Sequence, residues 1–232
     1  MPGFQRARSA EQRAIRRRAI LHTAAAMLAE RPAAEISLNE LSRRACLAKS
    51  NVLRYFDSRE AVLLELLDEA WGEWLGELAV ELPTAVDPEA SVSVRGEQLA
   101  AALARSVARR PVLCDLAGAQ AAVLERNVSA EVAARFKRTS LARVGELAGL
   151  ARGTVAELDE PSARTFAALA MMTIGAAWTH SRPAAPMVAA CEADPEPAGL
   201  WSGFADLVRE ALAISLAGLL ARAAGSRLTT GW

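Results

Sequence analysis

The chain has 232 residues and no net formal charge; 52% of its residues are hydrophobic and 23% are charged. This composition supplies enough apolar material for a core and excludes an intrinsically disordered chain, which combines low hydrophobicity with high net charge. Aromatic residues make up only 5% and alanine is the commonest residue, so the composition favours helices over sheets.

The basic residues are concentrated near the N-terminus. Residues 1–60 contain 12 arginines and lysines against 6 acidic residues, whereas residues 61–232 contain 15 against 21. A basic first quarter on an acidic remainder suggests a head that binds an anion. A solvated charged tail is the simpler alternative, although the basic residues continue into segments with helical patterning.

Helical periodicity, caps and helix breakers predict an all-α chain. Nine helices are predicted, over about 9–30, 38–45, 49–55, 59–81, 89–110, 111–124, 130–151, 161–180 and 200–224. The fifth of them could also begin at 94. Residues 1–8 are interpreted as a mobile arm, residues 83–88 as a linker, and residues 183–199, which contain four prolines, as a loop. Ser37 and Glu40 form a capping-box pattern, and Ser58 and Ser129 are predicted helix caps.

The sequence offers no cluster of metal ligands or nucleophiles. Cys46, Cys114 and Cys191 lie far apart and fit no metal spacing, so buried free thiols in a reducing cytoplasm are expected. The two histidines, His22 and His180, have no acidic partners at helical spacing. No metal or cofactor is therefore expected. No signal peptide or membrane-length apolar run is recognisable, which predicts a cytoplasmic protein with no membrane partner.

Two short helices between two longer ones, separated by a tight break, are typical of a helix-turn-helix unit. The second short helix of such a unit enters the major groove of DNA, where Asn pairs with adenine and Arg with guanine. The outward residues of this helix are short, polar or basic: Lys49, Ser50, Asn51, Arg54 and Tyr55. The apolar residues expected to hold the unit together are Ile36, Leu38, Leu41, Ala45, Leu47, Val52, Leu53 and Phe56.

A longer motif contains these two helices and reads ISLNELSRRACLAKSNVLRYFDSREAVLLELL. Its distinctive positions are Ser37, Leu41, Ala45, Leu47, Lys49, Tyr55, Phe56, Ser58, Arg59 and Glu60. This motif resembles the N-terminal domain of TetR-family transcriptional regulators. It departs from the family pattern at Cys46, where the family has a turn glycine, at Ala48, where the family has a capping Ser, and at Leu53, where Tyr is common. Ser50 is expected to replace the missing cap by starting the helix two residues later.

The resemblance implies a three-helix DNA-binding domain followed by a helical bundle. We expect the arm and helix-turn-helix domain over 1–58 and a ligand-binding and dimerisation domain over 59–232, in which 59–81 is the connecting helix. Asn51 and Arg54 are expected at base edges. The full set of expected DNA-binding residues is Ser37, Arg43, Arg44, Lys49, Ser50, Asn51, Arg54, Tyr55, Ser58 and Arg59.

The resemblance also implies a homodimer and an inducer pocket. The family forms its subunit interface from the last two long helices, here about 161–180 and 200–224, although the first could be a central core helix. The middle helices enclose a small-molecule inducer, whose identity the sequence does not give. Its candidate contacts, each of which could instead be plain core, are Trp71, Trp74, Leu78, Leu103, Val107, Leu116, Met171, Met172, Trp178 and His180.

The expected function is that of a transcriptional regulator that binds double-stranded DNA and is not an enzyme. The specific hypothesis is a repressor that binds a palindromic operator as a homodimer and is released by a small, mainly apolar inducer. An activator or an inducer-independent regulator of the same fold is the alternative. An all-α enzyme would need an acidic cluster such as DDxxD or a Gly-x-Ser-x-Gly turn, and a protein-binding adaptor would leave the basic head unexplained.

Overall fold

The computed structural model describes residues 2–183, 185–193 and 203–229, and within these ranges it contains helices and no strand. The helices are α1 (Pro2–Glu30), α2 (Leu38–Arg44), α3 (Lys49–Val52), α4 (Arg59–Ala85), α5 (Val92–Ala108), α6 (Pro111–Ala119), α7 (Ala130–Thr154), α8 (Glu160–His180), α9 (Ala185–Ala193) and α10 (Phe204–Thr229). Short 3₁₀ turns lie at Ala33–Glu35 and Leu124–Asn127. The predicted all-α class is confirmed.

Three segments predicted to be irregular are helical, and proline explains two of these errors. The predicted arm belongs to α1, which begins at Pro2. The predicted linker is partly α4, because Pro83 lies in the last turn, where its missing N–H removes only the bond to the Ala79 carbonyl. The predicted loop contains α9, in which Pro186 occupies the first turn and breaks no intrahelical bond. The remainder of that loop, residues 184 and 194–199, lies outside the described residues.

The first of two compact units comprises Met1–Glu69 and Ala119–Lys137. Helix α1 packs on α2, and α2 packs on α3. Their shared core is apolar and fully or almost fully buried, and includes Ile20, Ala24, Met27, Ile36, Leu41, Val52, Phe56, Val62 and Leu63. The predicted cap Ser129 accepts a hydrogen bond from the Val132 amide at 3.3 Å and donates to Asp57 at 2.7 Å.

The second unit comprises Ala70–Gly118 and Arg138–Trp232. Helix α10 packs on both α5 and α8. The largest fully buried side chains of this unit are Trp74, Phe166, Leu78, Leu99 and Leu103. Helices α6 and α8 approach each other at two glycines, Gly118 and Gly175, where the two backbones come too close for a side chain.

We expect Gly175→Ala to destabilise the protein by about 2–3 kcal/mol. A Cβ atom at this position would lie 2.8 Å from the Ala117 carbonyl oxygen and 2.9 Å from its carbon, and these backbone atoms cannot rotate away. The melting temperature should fall by several degrees in a thermal unfolding experiment. Gly76→Ala is the matched control, because a Cβ there meets nothing within 4 Å. It should gain up to about 1 kcal/mol of helix propensity. Similar melting temperatures for the two variants would contradict this account of the α6–α8 contact.

The described residues contain no helix long and apolar enough to cross a membrane and no cluster of side chains that could hold a metal ion. Cys114 is buried, as expected, and its burial raises the pKa of the thiol to about 12, which keeps it protonated at neutral pH. Cys46 is exposed, so the prediction of a buried thiol is wrong there. The side chain of Cys191 lies outside the described residues.

Candidate nucleic-acid interface

Helix α2 begins at the predicted cap. The Ser37 hydroxyl accepts a hydrogen bond from the Glu40 amide at 3.2 Å. The Glu40 carboxylate is turned toward three arginines, with Arg31 Nη1 at 2.8 Å, Arg44 Nε at 3.5 Å and Arg43 Nη2 at 3.8 Å. Ser37 and Glu40 therefore fix the start of α2 and its attachment to the end of α1.

The turn between α2 and α3 keeps the left-handed conformation that glycine usually provides. Cys46 has a φ of 52°, the one positive φ at a non-glycine position among the described residues. The Leu47 amide donates to the Ser42 carbonyl at 2.9 Å, which closes the end of α2 as in a Schellman motif. A non-glycine residue in this conformation costs about 1 kcal/mol, and the turn retains its geometry despite that cost.

Helix α3 is a single turn that begins at Lys49, as the prediction of a helix over about 49–55 has it. Ala48 is its N-cap, with the extended backbone of a cap but no side-chain hydrogen bond, so the expectation that Ser50 replaces the cap and starts the helix later is wrong. The helix ends at Val52, and the chain continues in tight turns up to Phe56. Burial of Val52 and Phe56 turns Leu53 outward, where it is 41% exposed. The prediction that Leu53 lies in the core is therefore wrong.

The side of this motif opposite the core is polar and basic. Arg43, Lys49, Ser50 and Arg54 are exposed, and Asn51 and Tyr55 are half-buried. Among these groups the Arg43 side chain is 77% exposed, with its nearest carboxylate oxygen, from Glu40, at 3.8 Å. Six of the ten predicted DNA-binding residues are thus accessible on the helix-turn-helix, together with the apolar Leu53.

The other four predicted DNA-binding residues also make contacts within the protein. Ser37 caps α2, and Ser58 accepts from the Ala61 amide at 3.1 Å at the start of α4. Arg44 donates twice to the Glu30 carboxylate, at 2.7 Å each, and these bonds lower the pKa of Glu30. Arg59 donates to the Ile36 carbonyl at 2.7 Å and pairs with Glu60. Their contact with DNA stays a prediction.

Most of the predicted inducer contacts are core residues of the second unit. Seven of them are buried: Trp71, Trp74, Leu78, Leu103, Val107, Leu116 and Trp178. The ring centres of Trp71 and Trp74 lie 5.4 Å apart, and the Trp74 indole N–H donates to the Ser106 hydroxyl at 2.9 Å. Met171 is half-buried, whereas Met172 and His180 are exposed. The structure does not bring Met172 or His180 into the buried set.

Two cavities in the second unit were not anticipated from the sequence. One of about 380 Å³ lies between the ends of α4 and α7, and its lining includes Leu82, Pro83, Val86, Gly149, Leu150 and Gly153. The other, of about 320 Å³, lies between α5 and α10 and is lined in part by Gly96, Glu97, Ala213 and Leu216. The sequence feature that could have indicated the first cavity is the pair Gly149 and Gly153, because glycines four residues apart leave one face of a helix without side chains.

Two family models together match most of the chain. The model described as "Bacterial regulatory proteins, tetR family" matches residues 20–66. The model described as "Tetracyclin repressor-like, C-terminal domain" matches residues 68–223. The HTH-type transcriptional regulator EthR of Mycobacterium tuberculosis is 48% identical over 50 residues, which are 22% of this chain and 23% of EthR. The match therefore spans less than a quarter of that relative's length.

Solved structures share the fold at low sequence identity. A TetR transcriptional regulator from Rhodococcus sp. RHA1 superposes with a TM-score of 0.52 at 16% identity, over 89% of this chain and 96% of that one. The fatty acid degradation regulator FadR from Bacillus halodurans gives 0.52 at 18% identity, over 88% and 96%. FadR from Bacillus subtilis in complex with stearoyl-CoA gives 0.51 at 14% identity, over 86% and 97%. With a family model matched over more than half of its length and a DNA-binding helix-turn-helix at its N-terminus, the chain belongs to the TetR family of transcriptional regulators, which are DNA-binding proteins and not enzymes.

Proposed function

We propose that the protein is a cytoplasmic, ligand-responsive repressor that binds a palindromic operator as a homodimer and is released by a small, mainly apolar inducer. The observation that carries this proposal is that the helix-turn-helix exposes three basic side chains, Arg43, Lys49 and Arg54, and that the polar Ser50 and Asn51 are exposed and half-buried. An activator or an inducer-independent regulator would use the same surface. Release from DNA by a ligand distinguishes the repressor from an inducer-independent regulator, and a rise in transcription of the target gene when the protein is deleted distinguishes it from an activator.

The polar side chains on this surface suit different parts of a DNA duplex. Asn51 and Arg54 have the side chains that pair bidentately with adenine and guanine in the major groove. Lys49, Tyr55 and Arg43 are suited to phosphate contacts, which fix position without reading sequence. The excess of basic residues in 1–60 supplies the long-range attraction to DNA.

The exposed face of α8 and α10 supports a homodimer. These two helices pack on each other, yet Leu169, Met172 and Ile214 remain 37%, 63% and 64% exposed. Exposed apolar side chains on two helices that pack together suit a protein interface. A second copy with two-fold symmetry would cover them. A dimer that binds a palindromic operator must hold its two α3 helices in successive major grooves, about 34–36 Å apart.

The second unit supports a small apolar inducer. Its buried aromatic pair, Trp71 and Trp74, and the aliphatic side chains of α5 form a mainly apolar interior, in which Ser106 is a buried polar group. The separate cavity of about 380 Å³ near the ends of α4 and α7 is also in the range that holds small molecules, but none of the predicted inducer contacts lines it. The Bacillus subtilis neighbour is in complex with stearoyl-CoA, a ligand with a long apolar acyl chain and a charged CoA part. We propose that the inducer binds among the buried members of the predicted set and moves α4, which runs from Arg59 to Ala85 and carries Trp71 and Trp74.

Arg54→Ala is expected to cost about 1–3 kcal/mol of operator affinity and to relax the preference at one symmetric base pair, because a bidentate contact to guanine is lost. Arg43→Ala is the matched variant for a phosphate contact. It should weaken binding evenly across sequences and reduce the salt slope by about one per site. Fluorescence anisotropy over a salt series, with a duplex selected from a random library, measures both effects. If the wild-type protein shows no salt-dependent binding to any duplex, the regulator proposal is wrong.

A further inference from the structure

Arg17 differs from the other arginines near it on α1. Arg13, Arg16 and Arg18 are exposed, whereas Arg17 is half-buried. Its Nη1 donates to the Tyr55 carbonyl at 2.7 Å, and its Nε donates to Glu65 Oε1 at 3.1 Å. Its other Nη group forms an ion pair with the same carboxylate. The guanidinium carbon also lies 4.1 Å above the centre of the Phe56 ring.

These contacts join three parts of the first unit through one planar group. Arg17 belongs to α1 and Glu65 to α4, and residues 55–56 end the segment that follows α3. A guanidinium can make these bonds simultaneously because its donors lie on three nitrogens and point in fixed, divergent directions, whereas the donors of an ammonium group all lie on one nitrogen. Bonds from a charged donor are also stronger than neutral ones.

The α3 segment needs such external support because its own structure is weak. Helix α3 has four residues and no side-chain cap, since Ala48 stands at its N-cap position. The turn before it contains Cys46 in a left-handed conformation that is unfavourable for a non-glycine residue. A single helical turn with these features has little intrinsic stability. Its orientation therefore depends on buried anchors such as Val52 and on the contacts at its C-terminal end.

We propose that Arg17 is a positioning residue that fixes the orientation of residues 49–56 against α1 and α4, and so determines how well the protein discriminates its operator from other DNA. Arg17 acts through the Tyr55 carbonyl, Phe56 and Glu65 and does not itself contact DNA. The proposal rests on the proposed function, because discrimination has meaning only for a protein that reads a DNA sequence.

The first test compares Arg17→Ala with Arg18→Ala, which removes the same charge from the next, exposed position of α1. Each variant is titrated with a duplex selected by the wild-type protein from a random library and with a scrambled duplex of equal length, below its melting temperature. We expect Arg17→Ala to lose about tenfold more affinity for the selected duplex than for the scrambled one, the loss of one bond from a charged donor. Its affinity for the scrambled duplex and its salt slope should match those of Arg18→Ala, since both variants lose one positive charge. Arg18→Ala should change both affinities by the same factor.

Arg17→Lys keeps the charge, and we expect its single nitrogen to pair with Glu65 and to lose the bond to the Tyr55 carbonyl, because Arg17 reaches these two acceptors through different nitrogens. We expect it to melt close to wild type and still to lose discrimination, which separates orientation of the segment from general stability. Amide hydrogen exchange in the DNA-free protein gives an independent readout. The Tyr55 and Phe56 amides, which donate to the Val52 carbonyl at 2.9 and 3.1 Å, should exchange faster in Arg17→Ala and unchanged in Arg18→Ala.

Two results would overturn the inference: equal losses on both duplexes for Arg17→Ala, or unchanged exchange at Tyr55 and Phe56. If the wild-type protein selects no duplex, the proposed function fails, and the role of Arg17 in discrimination fails with it. In that case the exchange measurement still decides whether Arg17 orders residues 49–56.

Discussion

Trp74→Ala is expected to lower the free energy of unfolding by about 3–5 kcal/mol, the usual cost of truncating a large buried aromatic side chain. Trp74 is fully buried, and its indole N–H donates to the hydroxyl of Ser106, which is also fully buried. The substitution leaves a large void beside Trp71 and removes that hydrogen bond. Denaturant unfolding measures the loss. Trp74→Phe is the milder companion, since it keeps most of the apolar volume and removes mainly the hydrogen bond.

Substitutions of Trp74 also show whether this residue contacts the inducer or belongs only to the hydrophobic core. If Trp74 lines the inducer pocket, as we propose, Trp74→Phe should change the inducer concentration needed for release from DNA while dimer formation and operator affinity largely persist. Such a shift is limited by the difference in ligand affinity between the two states, typically about 1–3 kcal/mol. If Trp74 only seals the core, stability and DNA binding fall together and the inducer acts with unchanged potency on the folded fraction. That second pattern would remove Trp74 from the pocket.

The helix-turn-helix could be predicted because its signals are local. Capping by Ser37 and Ser58 and the short spacing between the two small helices depend on residues within a few positions of one another. Leu53 was misplaced because hydrophobicity alone does not fix the register of a single helical turn. Because the Val52 and Phe56 side chains are buried in the core, the Leu53 side chain points away from it.

The sequence contains an indication that the Arg17 side chain points into the protein, but this indication is ambiguous. Arg17 lies three residues before Ile20 and seven before Ala24, both fully buried, so it belongs to the core face of α1. It also stands between Arg16 and Arg18, and a run of arginines is usually a solvated face. Its partners, Tyr55 and Glu65, are 38 and 48 residues away, and no local pattern connects them.

Inducer contacts were the least predictable part, because core and pocket use the same residue types at the same helical spacing. Met172 illustrates the difficulty. The sequence places it in an apolar stretch of α8, but its exposure depends on where α10 packs against α8, which is a tertiary property. The errors at Pro83 and Pro186 have a local cause. Proline breaks the interior of a helix, but it is tolerated in the last turn, as at Pro83, and in the first turn, as at Pro186.

Met172→Asp is expected to dissociate the proposed homodimer and to lower operator affinity by about a hundredfold or more. The side chain is 63% exposed in the single subunit, so the subunit itself should lose little stability. In a dimer formed by α8 and α10, however, the carboxylate would be buried without a partner, which is costly. A monomer reaches only one half-site and loses the gain from linked binding, commonly about 10²–10⁴.

Val80→Asp is the matched control for this substitution. Val80 is an apolar residue on α4 that is 76% exposed, and it lies outside the two helices of the proposed interface. This variant should remain dimeric in analytical ultracentrifugation and bind the operator as wild type does, since a carboxylate there stays in water. The opposite result, a dimeric Met172→Asp and a monomeric Val80→Asp, would place the subunit interface on α4. The exposed Leu169, Met172 and Ile214 would then need a different partner.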